Sequence, residues 1–283
     1  MADDTTNNTS DELSLFGRKA ITLSFTIEGI FGLVCALVSL RRCLGMTKHR
    51  SGYVNFYTSL ALADLGIAVL CPITAYASSI ASSGWPFSAT ACNMYGFFAL
   101  FCGTVCIWSL LMTAVEDQYI DKGSWFSSVL LALTWINALF WSSAPILGWG
   151  RYTPERYNAG CLYEMDVNDS NAFSFLIGYT AAALLIPIII LLFSVMPNRK
   201  VSSMHPCQRS ILQGTFVGSD FPLSLLGTLW SRGIVVVVKQ DVKAVPILMV
   251  ASAPIAAKLS PIVNALVVAK TAPGMDSQKS KMK

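Results

Sequence analysis

Residues 252 to 270, SAPIAAKLSPIVNALVVAK, place a single amine, Lys258, inside an otherwise uncharged and mostly apolar run. A lysine at the centre of a membrane-spanning helix costs about 2.5 to 3.5 kcal/mol on insertion scales, and such residues usually mark a functional site. Lys258 stands about eleven residues from the inner end of its run, roughly 16 Å along a helix, which is a long way to snorkel. A sequestered lysine whose neutral amine is available is a nucleophile toward a carbonyl, so it suits an imine link with an aldehyde ligand. The competing reading is structural, an ion pair or a snorkelling side chain. Other chemistries find less support. His49 and His205 stand in short polar loops and form no triad with a serine, and no Gly-rich phosphate loop is present. The cysteines show no metal-ligand spacing.

The elements that must hold Lys258 follow from the solvent. Of 283 residues 54% are hydrophobic and 13% charged, against about 25% charged in an ordinary soluble domain. A helix needs about 20 mostly apolar residues to cross a bilayer. Seven such runs are predicted, near 20–40, 53–77, 91–119, 125–148, 173–196, 209–231 and 244–269. The sixth is interrupted by Gly214, Gly218, Asp220, Pro222 and Gly227, and prolines 187, 222 and 261 fall inside runs, which a membrane bundle tolerates. The polar first 19 residues predict an anchor rather than a cleaved leader. The expected organisation is an outer tail over 1–19, one all-α membrane domain of seven helices over 20–270, and a short inner tail over 271–283.

Orientation is read from lysine and arginine in the short loops. With the N-terminus outside, the inner side receives Arg41, Arg42, Lys48, Arg50, Lys122, Arg199, Lys200, Arg209, Lys270, Lys279, Lys281 and Lys283. The outer side receives the shorter set Arg18, Lys19, Arg151, Arg156, Arg232, Lys239 and Lys243. The same topology puts the glycosylation sequons at Asn7, Asn8 and Asn168 outside. The net charge of +4 then answers to topology and anionic lipid, with no basic patch that calls for nucleic acid. Cys35, Cys71, Cys102 and Cys106 lie in apolar runs and read as small apolar side chains, while Cys43 and Cys207 fall on the reducing inner side. Cys92 and Cys161 both face the oxidising side, where a bridge between them would pin the loop after the fourth run across the mouth of the bundle.

The chain resembles the opsins over nearly its whole length. The likeness is carried by LALAD (60–64), CNMYGFF (92–98), WSLL (108–111), Trp135, GWGRYTPE (148–155) running on to Cys161, Pro187, and AKLSPIVNAL (257–266). It implies a rhodopsin-like seven-helix receptor fold in which Lys258 binds retinal, all-trans or 11-cis, as a Schiff base. It also implies the Cys92–Cys161 disulfide and a pocket in the outer half of the bundle, with Tyr95, Gly96 and Trp230 as candidate lining. Many visual opsins carry a counterion glutamate in helix three where this chain has Tyr95, and Glu155 matches the alternative counterion of the outer loop; the plainer reading of Glu155 is a solvated acid beside Arg156. Glu28 and Asp220 are further acids in apolar runs. Asp220 aligns with the toggle tryptophan of helix six, unless a slipped register gives that place to Trp230. Asp64 matches the acid of the family's polar network and is expected to pair with Asn264.

Departures from the pattern bear on function. The acid-Arg-aromatic triplet that ends helix three in signalling receptors reads Glu116-Asp117-Gln118, and Asn264 is followed by Ala265 where a proline is usual. Thirteen residues follow Lys270, without a cysteine for lipid attachment. Within the opsins the likeness is to the retinochrome and retinal-G-protein-coupled-receptor group, which turns all-trans-retinal into the 11-cis isomer with light. The expected function is that of a light-driven retinal isomerase in a plasma or intracellular membrane of photoreceptor or accessory cells. Its expected partners are lipid and retinoid-binding proteins or dehydrogenases. The alternatives are a photoreceptor coupled to a G protein and a receptor for a diffusible ligand.

Overall fold

The computed structural model describes residues 15–46, 52–80, 84–116, 124–155, 160–166, 168–187, 189–190, 261–262 and 265. Within them run helices α1 (Leu15–Met46), α2 (Gly52–Ile80), α3 (Ala89–Glu116), α4 (Ser124–Ser143) and α5 (Ser170–Thr180), which passes into a π-helical turn over Ala181–Leu185. Between α4 and α5 lies an antiparallel hairpin of β1 (Tyr152–Pro154) and β2 (Cys161–Tyr163). Among the described residues, α1 to α4 are long and apolar enough to cross a membrane. Asn7, Asn8, Asp220, Trp230, Lys258 and Asn264 lie outside the described residues, as does the whole sixth run.

Helix α1 begins at Leu15, inside the stretch expected to be a polar tail, because a helix carries its own hydrogen bonds past the hydrocarbon and its first turns can be solvated. Helix α4 stops at Ser143 rather than near 148: Pro145 lacks an N–H, and Gly148 and Gly150 take φ of 99° and 83°, conformations closed to most L residues. Pro72, not anticipated as a helix proline, lies inside α2. Its ring packs toward α1 at Gly29, where an added Cβ would be 3.0 Å from Cys71 Cβ and 3.4 Å from Pro72 Cδ. Gly32, nearly a turn further on, meets Ala68 and Pro261. Small residues here let helices approach closely, which drives packing where lipid is as apolar as the protein.

Helix α1 packs on α2, α2 on α3 and α3 on α4, and both strands lie against α3. A core shared by α1 to α4 gathers Tyr57, Leu60, Ile67, Val105, Leu110 and Ala138, with Cys43 buried among them. Hydroxyls inside the helices satisfy themselves by bonding back one turn, as Thr104 does to Leu100 O at 2.7 Å and Thr134 to Leu130 O at 3.0 Å. Helix α5 is capped by Asp169, whose side chain accepts from Asn171 N at 2.9 Å and Ala172 N at 3.4 Å. Asn171 in turn donates to Gly148 O at 2.8 Å and accepts from Gly150 N at 3.2 Å, tying the start of α5 to the turn after α4.

Candidate functional site

The hairpin is the element that builds the site. Its three-residue strands are too short to stand alone in water, so their position comes from what they rest on. Cys92, in the first turn of α3, is joined to Cys161 at the start of β2 by a disulfide with Cα atoms 5.4 Å apart. Tyr152 of β1 lays its ring over Gly96, where an added Cβ would be 2.3 Å from Tyr152 Cδ1. Gly96 therefore serves as a seat for that ring. The Tyr152 hydroxyl donates to Ser142 O at 2.8 Å, and burial, with Tyr179 and Tyr163 beside it, pushes this phenol above its usual range. It stays a neutral donor at physiological pH.

Glu155 follows β1. Its N–H donates to Gly160 O at 2.9 Å, carrying the hairpin one step past the ladder, and its Oε2 is shielded from solvent. A Cβ placed on Gly160 would be 3.4 Å from Glu155 Oε2 and 3.2 Å from the Tyr95 hydroxyl oxygen, so both groups lie against Gly160, next to Cys161 of the disulfide. Tyr95 is buried between Trp85, edge-on at 5.8 Å, and Thr74 of α2, whose Oγ1 is 2.6 Å from the phenol oxygen. Glu155 and Tyr95, 60 positions apart in sequence by their numbers, are thus brought together, with Thr74 as a third member that its sequence context did not single out.

An aromatic wall continues from this corner toward α5. Phe175 and Tyr179 stack with centroids 6.0 Å apart, Tyr163 approaches Tyr179 at 5.4 Å, and Trp141 lies 5.8 Å from Tyr179. Thr104 and the Tyr179 hydroxyl are 3.1 Å apart, joining α3 to α5. Rings at these spacings pack as a rigid apolar cluster with polar tips.

Other residues singled out in the sequence fall elsewhere. Asp64 is buried between α2 and α3, and Cys106 Sγ donates to its Oδ1 at 3.4 Å, a partner that a reading of Cys106 as a plain apolar filler missed. Nearby, Trp135 Nε1 donates to Ser59 Oγ at 3.0 Å and Ser109 to the same oxygen at 3.1 Å, linking α2, α3 and α4. Glu28 is buried in α1. Asn168 is exposed in the bend before Asp169. Among the described residues no three His, Cys, Asp or Glu side chains gather as a metal site.

Comparisons with known proteins agree with this architecture. The sequence profile of the "7 transmembrane receptor (rhodopsin family)" matches residues 32–211, more than half of the chain. The human RPE-retinal G protein-coupled receptor is 26% identical over 193 residues, covering 66% of this chain and 66% of that protein. The visual pigment-like receptor peropsin of Mus musculus is 26% identical over 206 residues, covering 68% of this chain and 60% of that protein. Both matches span less than two thirds of the relative's own length. Rhodopsin of Petromyzon marinus is 32% identical over 157 residues, 52% of this chain and 44% of that one. Squid rhodopsin superposes with a TM-score of 0.80 over 96% of this chain and 82% of its own, at 17% identity, a likeness of fold. The chain belongs to the rhodopsin family of seven-transmembrane receptors, with opsins among its relatives.

Proposed function

We infer that the protein is a retinal-binding opsin that acts as a light-driven isomerase, converting all-trans-retinal to the 11-cis form, with Lys258 as the covalent attachment site and Glu155 as counterion. The observation that carries this is the buried carboxylate oxygen of Glu155 gathered with the Tyr95 hydroxyl at Gly160, under a hairpin held by a disulfide. The donor set fits the group: an ionised acid out of water favours a nearby cation, and the rings of Trp141, Tyr163, Phe175 and Tyr179 offer an apolar wall for a polyene. Retinal, when bound, supplies absorption of visible light and a double bond that turns in the excited state.

The chain's residues do the rest. Glu155 holds negative charge where a protonated lysine nitrogen would need it. The β1–β2 hairpin and the Cys92–Cys161 bridge cover that charge and keep bulk water out. The aromatic wall limits which part of a long ligand can swing. From the last residue of α3 onward the sequence reads Glu116-Asp117-Gln118, so the arginine that signalling receptors carry in that triplet is absent from the sequence, which favours isomerase over transducer. The names of the relatives point to retinal and to G proteins alike, so the second reading is a photoreceptor that couples to a G protein.

The test is reconstitution of the purified chain with each retinal isomer, illumination and extraction. Net production of 11-cis from all-trans-retinal, with a borohydride-trapped adduct mapped to Lys258, is the expected result. Absence of any adduct on Lys258 rejects both retinal readings and leaves a receptor for a diffusible ligand. Light-dependent nucleotide exchange at visual-pigment rates, without net 11-cis product, supports the transducer instead.

A further inference from the structure

Helix α5 deprives one of its own carbonyls of a backbone donor, and its winding decides which. Over Ala181–Leu185 the helix is π-wound, and the Ile186 N–H bonds back five residues to Ala181 O instead of four to Ala182 O. The next residue, Pro187, has no N–H to give. Ala182 O therefore loses its α-type donor to Ala181 and its π-type donor to the proline ring. Wound as α-helix, the same turn would return Ile186 to Ala182, and the carbonyl deprived by Pro187 would be that of Ala183. Ala182 and Ala183 are both buried, where a carbonyl needs a partner.

A buried donor stands on the neighbouring helix. Among the described residues the indole N–H of Trp108 in α3 has no hydrogen-bond partner, and an indole only donates. Helices α3 and α5 both start beside the hairpin, α3 with Cys92 in its first turn and α5 with the Asp169 cap that Arg151 pairs with, so they run the same way. Thr104 and Tyr179 fix their register through hydroxyls 3.1 Å apart. One α-helical turn further along each helix stand Trp108 and Ala183. Beyond that level, Trp108 and Ile190 of α5 pack against the same cluster of Phe56, Ile107, Leu111 and Met112.

We propose that α5 exchanges between the π register described above and an α register, and that Trp108 stabilises the second by donating its indole N–H to the Ala183 carbonyl. In the π register the deprived carbonyl belongs to Ala182, turned about 100° around α5 from the place of Ala183. In the α register donor and acceptor satisfy each other. The exchange moves the segment beyond the turn by one residue, about 1.5 Å along the axis and 100° around it, so Pro187 and Ile190 turn against α3. Tyr179 stands just before the π turn and packs on Trp141, Tyr163 and Phe175. A ligand that pressed on those rings would bias the register. That consequence rests on the proposed retinal reading, whereas the exchange of registers does not.

The test uses the full-length protein in lipid nanodiscs with nitrogen-15-labelled tryptophan, the Trp108 indole resonance being assigned by its loss in Trp108→Phe. Without chromophore, this N–H is expected to exchange on the microsecond-to-millisecond scale between a free and a downfield, hydrogen-bonded environment. Pro187→Ala supplies the missing N–H, fills the deprived carbonyl in either register, and should abolish the downfield environment. A single environment in the wild type, or exchange of equal amplitude in Pro187→Ala, overturns the inference. If Pro187→Ala does not accumulate, a tryptophan isostere with sulfur in place of N–H is put at Trp108 and read at carbon-13-labelled alanine carbonyls. It should remove a hydrogen-bonded carbonyl band that the wild type shows, and unchanged carbonyl bands overturn the inference. With retinal bound, illumination is expected to change the ratio of the two environments. An unchanged ratio with exchange intact overturns the link to the aromatic rings, and a chain that binds no retinal rejects the opsin reading while the chromophore-free result stands.

Discussion

At Gly96 an added methyl would sit 2.3 Å from Tyr152 Cδ1 and 2.9 Å from Cε1, distances at which one of the two groups has to move. The Tyr152 ring has little freedom, because its hydroxyl is held by Ser142 O at 2.8 Å and its faces are packed among buried aromatics. Gly96→Ala is therefore expected to cost about 1 to 3 kcal/mol through overpacking, read as a lower midpoint of thermal unfolding in purified protein. Pairing it with Tyr152→Leu, which removes the ring, should recover part of the loss. A midpoint unchanged in Gly96→Ala alone would mean that the hairpin does not hold its ring on α3. Gly160 is a different case. A Cβ there meets the ends of two side chains, Tyr95 and Glu155, at 3.1 to 3.4 Å, so substitution would disturb the polar corner more than the backbone.

Two devices hold the outer elements, and their magnitudes differ. The Cys92–Cys161 bridge closes a segment of 69 residues, for which loop entropy alone contributes about 4 kcal/mol. The Asp169 cap on α5 contributes about 1 kcal/mol. Arg151 bonds Glu164 and lies 3.2 Å from Asp169, but its exposed guanidinium makes these pairs minor beside the other two. Replacing both cysteines by serine should thus lower thermal stability several times more than Asp169→Ala. It should also open the Glu155 corner to hydroxylamine or another small solvent-borne reagent. Equal destabilisation by the two changes would show that packing on α3, rather than the covalent link, positions the hairpin.

For the whole molecule the decisive matter is which side faces out. The lysine and arginine balance and the exposed Asn168, set just before α5 in the same connection that carries the hairpin, both argue for an outside N-terminus. An epitope on the N-terminus should accordingly be reached by antibody on intact cells and one on the C-terminus only after permeabilisation. A glycosidase-sensitive mass shift should fall in Asn168→Gln. The reverse epitope pattern would invert the topology and put the Cys92–Cys161 bridge on the reducing side, where it would not persist.

The sequence by itself determined the solvent and the approximate spans of α1 to α4, because long apolar runs with 13% charge have few options other than a membrane bundle. It also marked Cys92, Cys161, Glu155 and Tyr95 by type, compartment and resemblance. It did not determine which side of each helix is covered. In lipid a helix is apolar all round, so Phe25 at 0% exposure and Phe31 at 59% look alike along α1. For the same reason the pairings Thr74 with Tyr95, Asp64 with Cys106, and Ser59 with Trp135 were hidden: they join residues 21, 42 and 76 positions apart. Local periodicity says that a hydroxyl lies on a helix. Only the rotation and crossing of neighbouring helices decide which acceptor its proton meets.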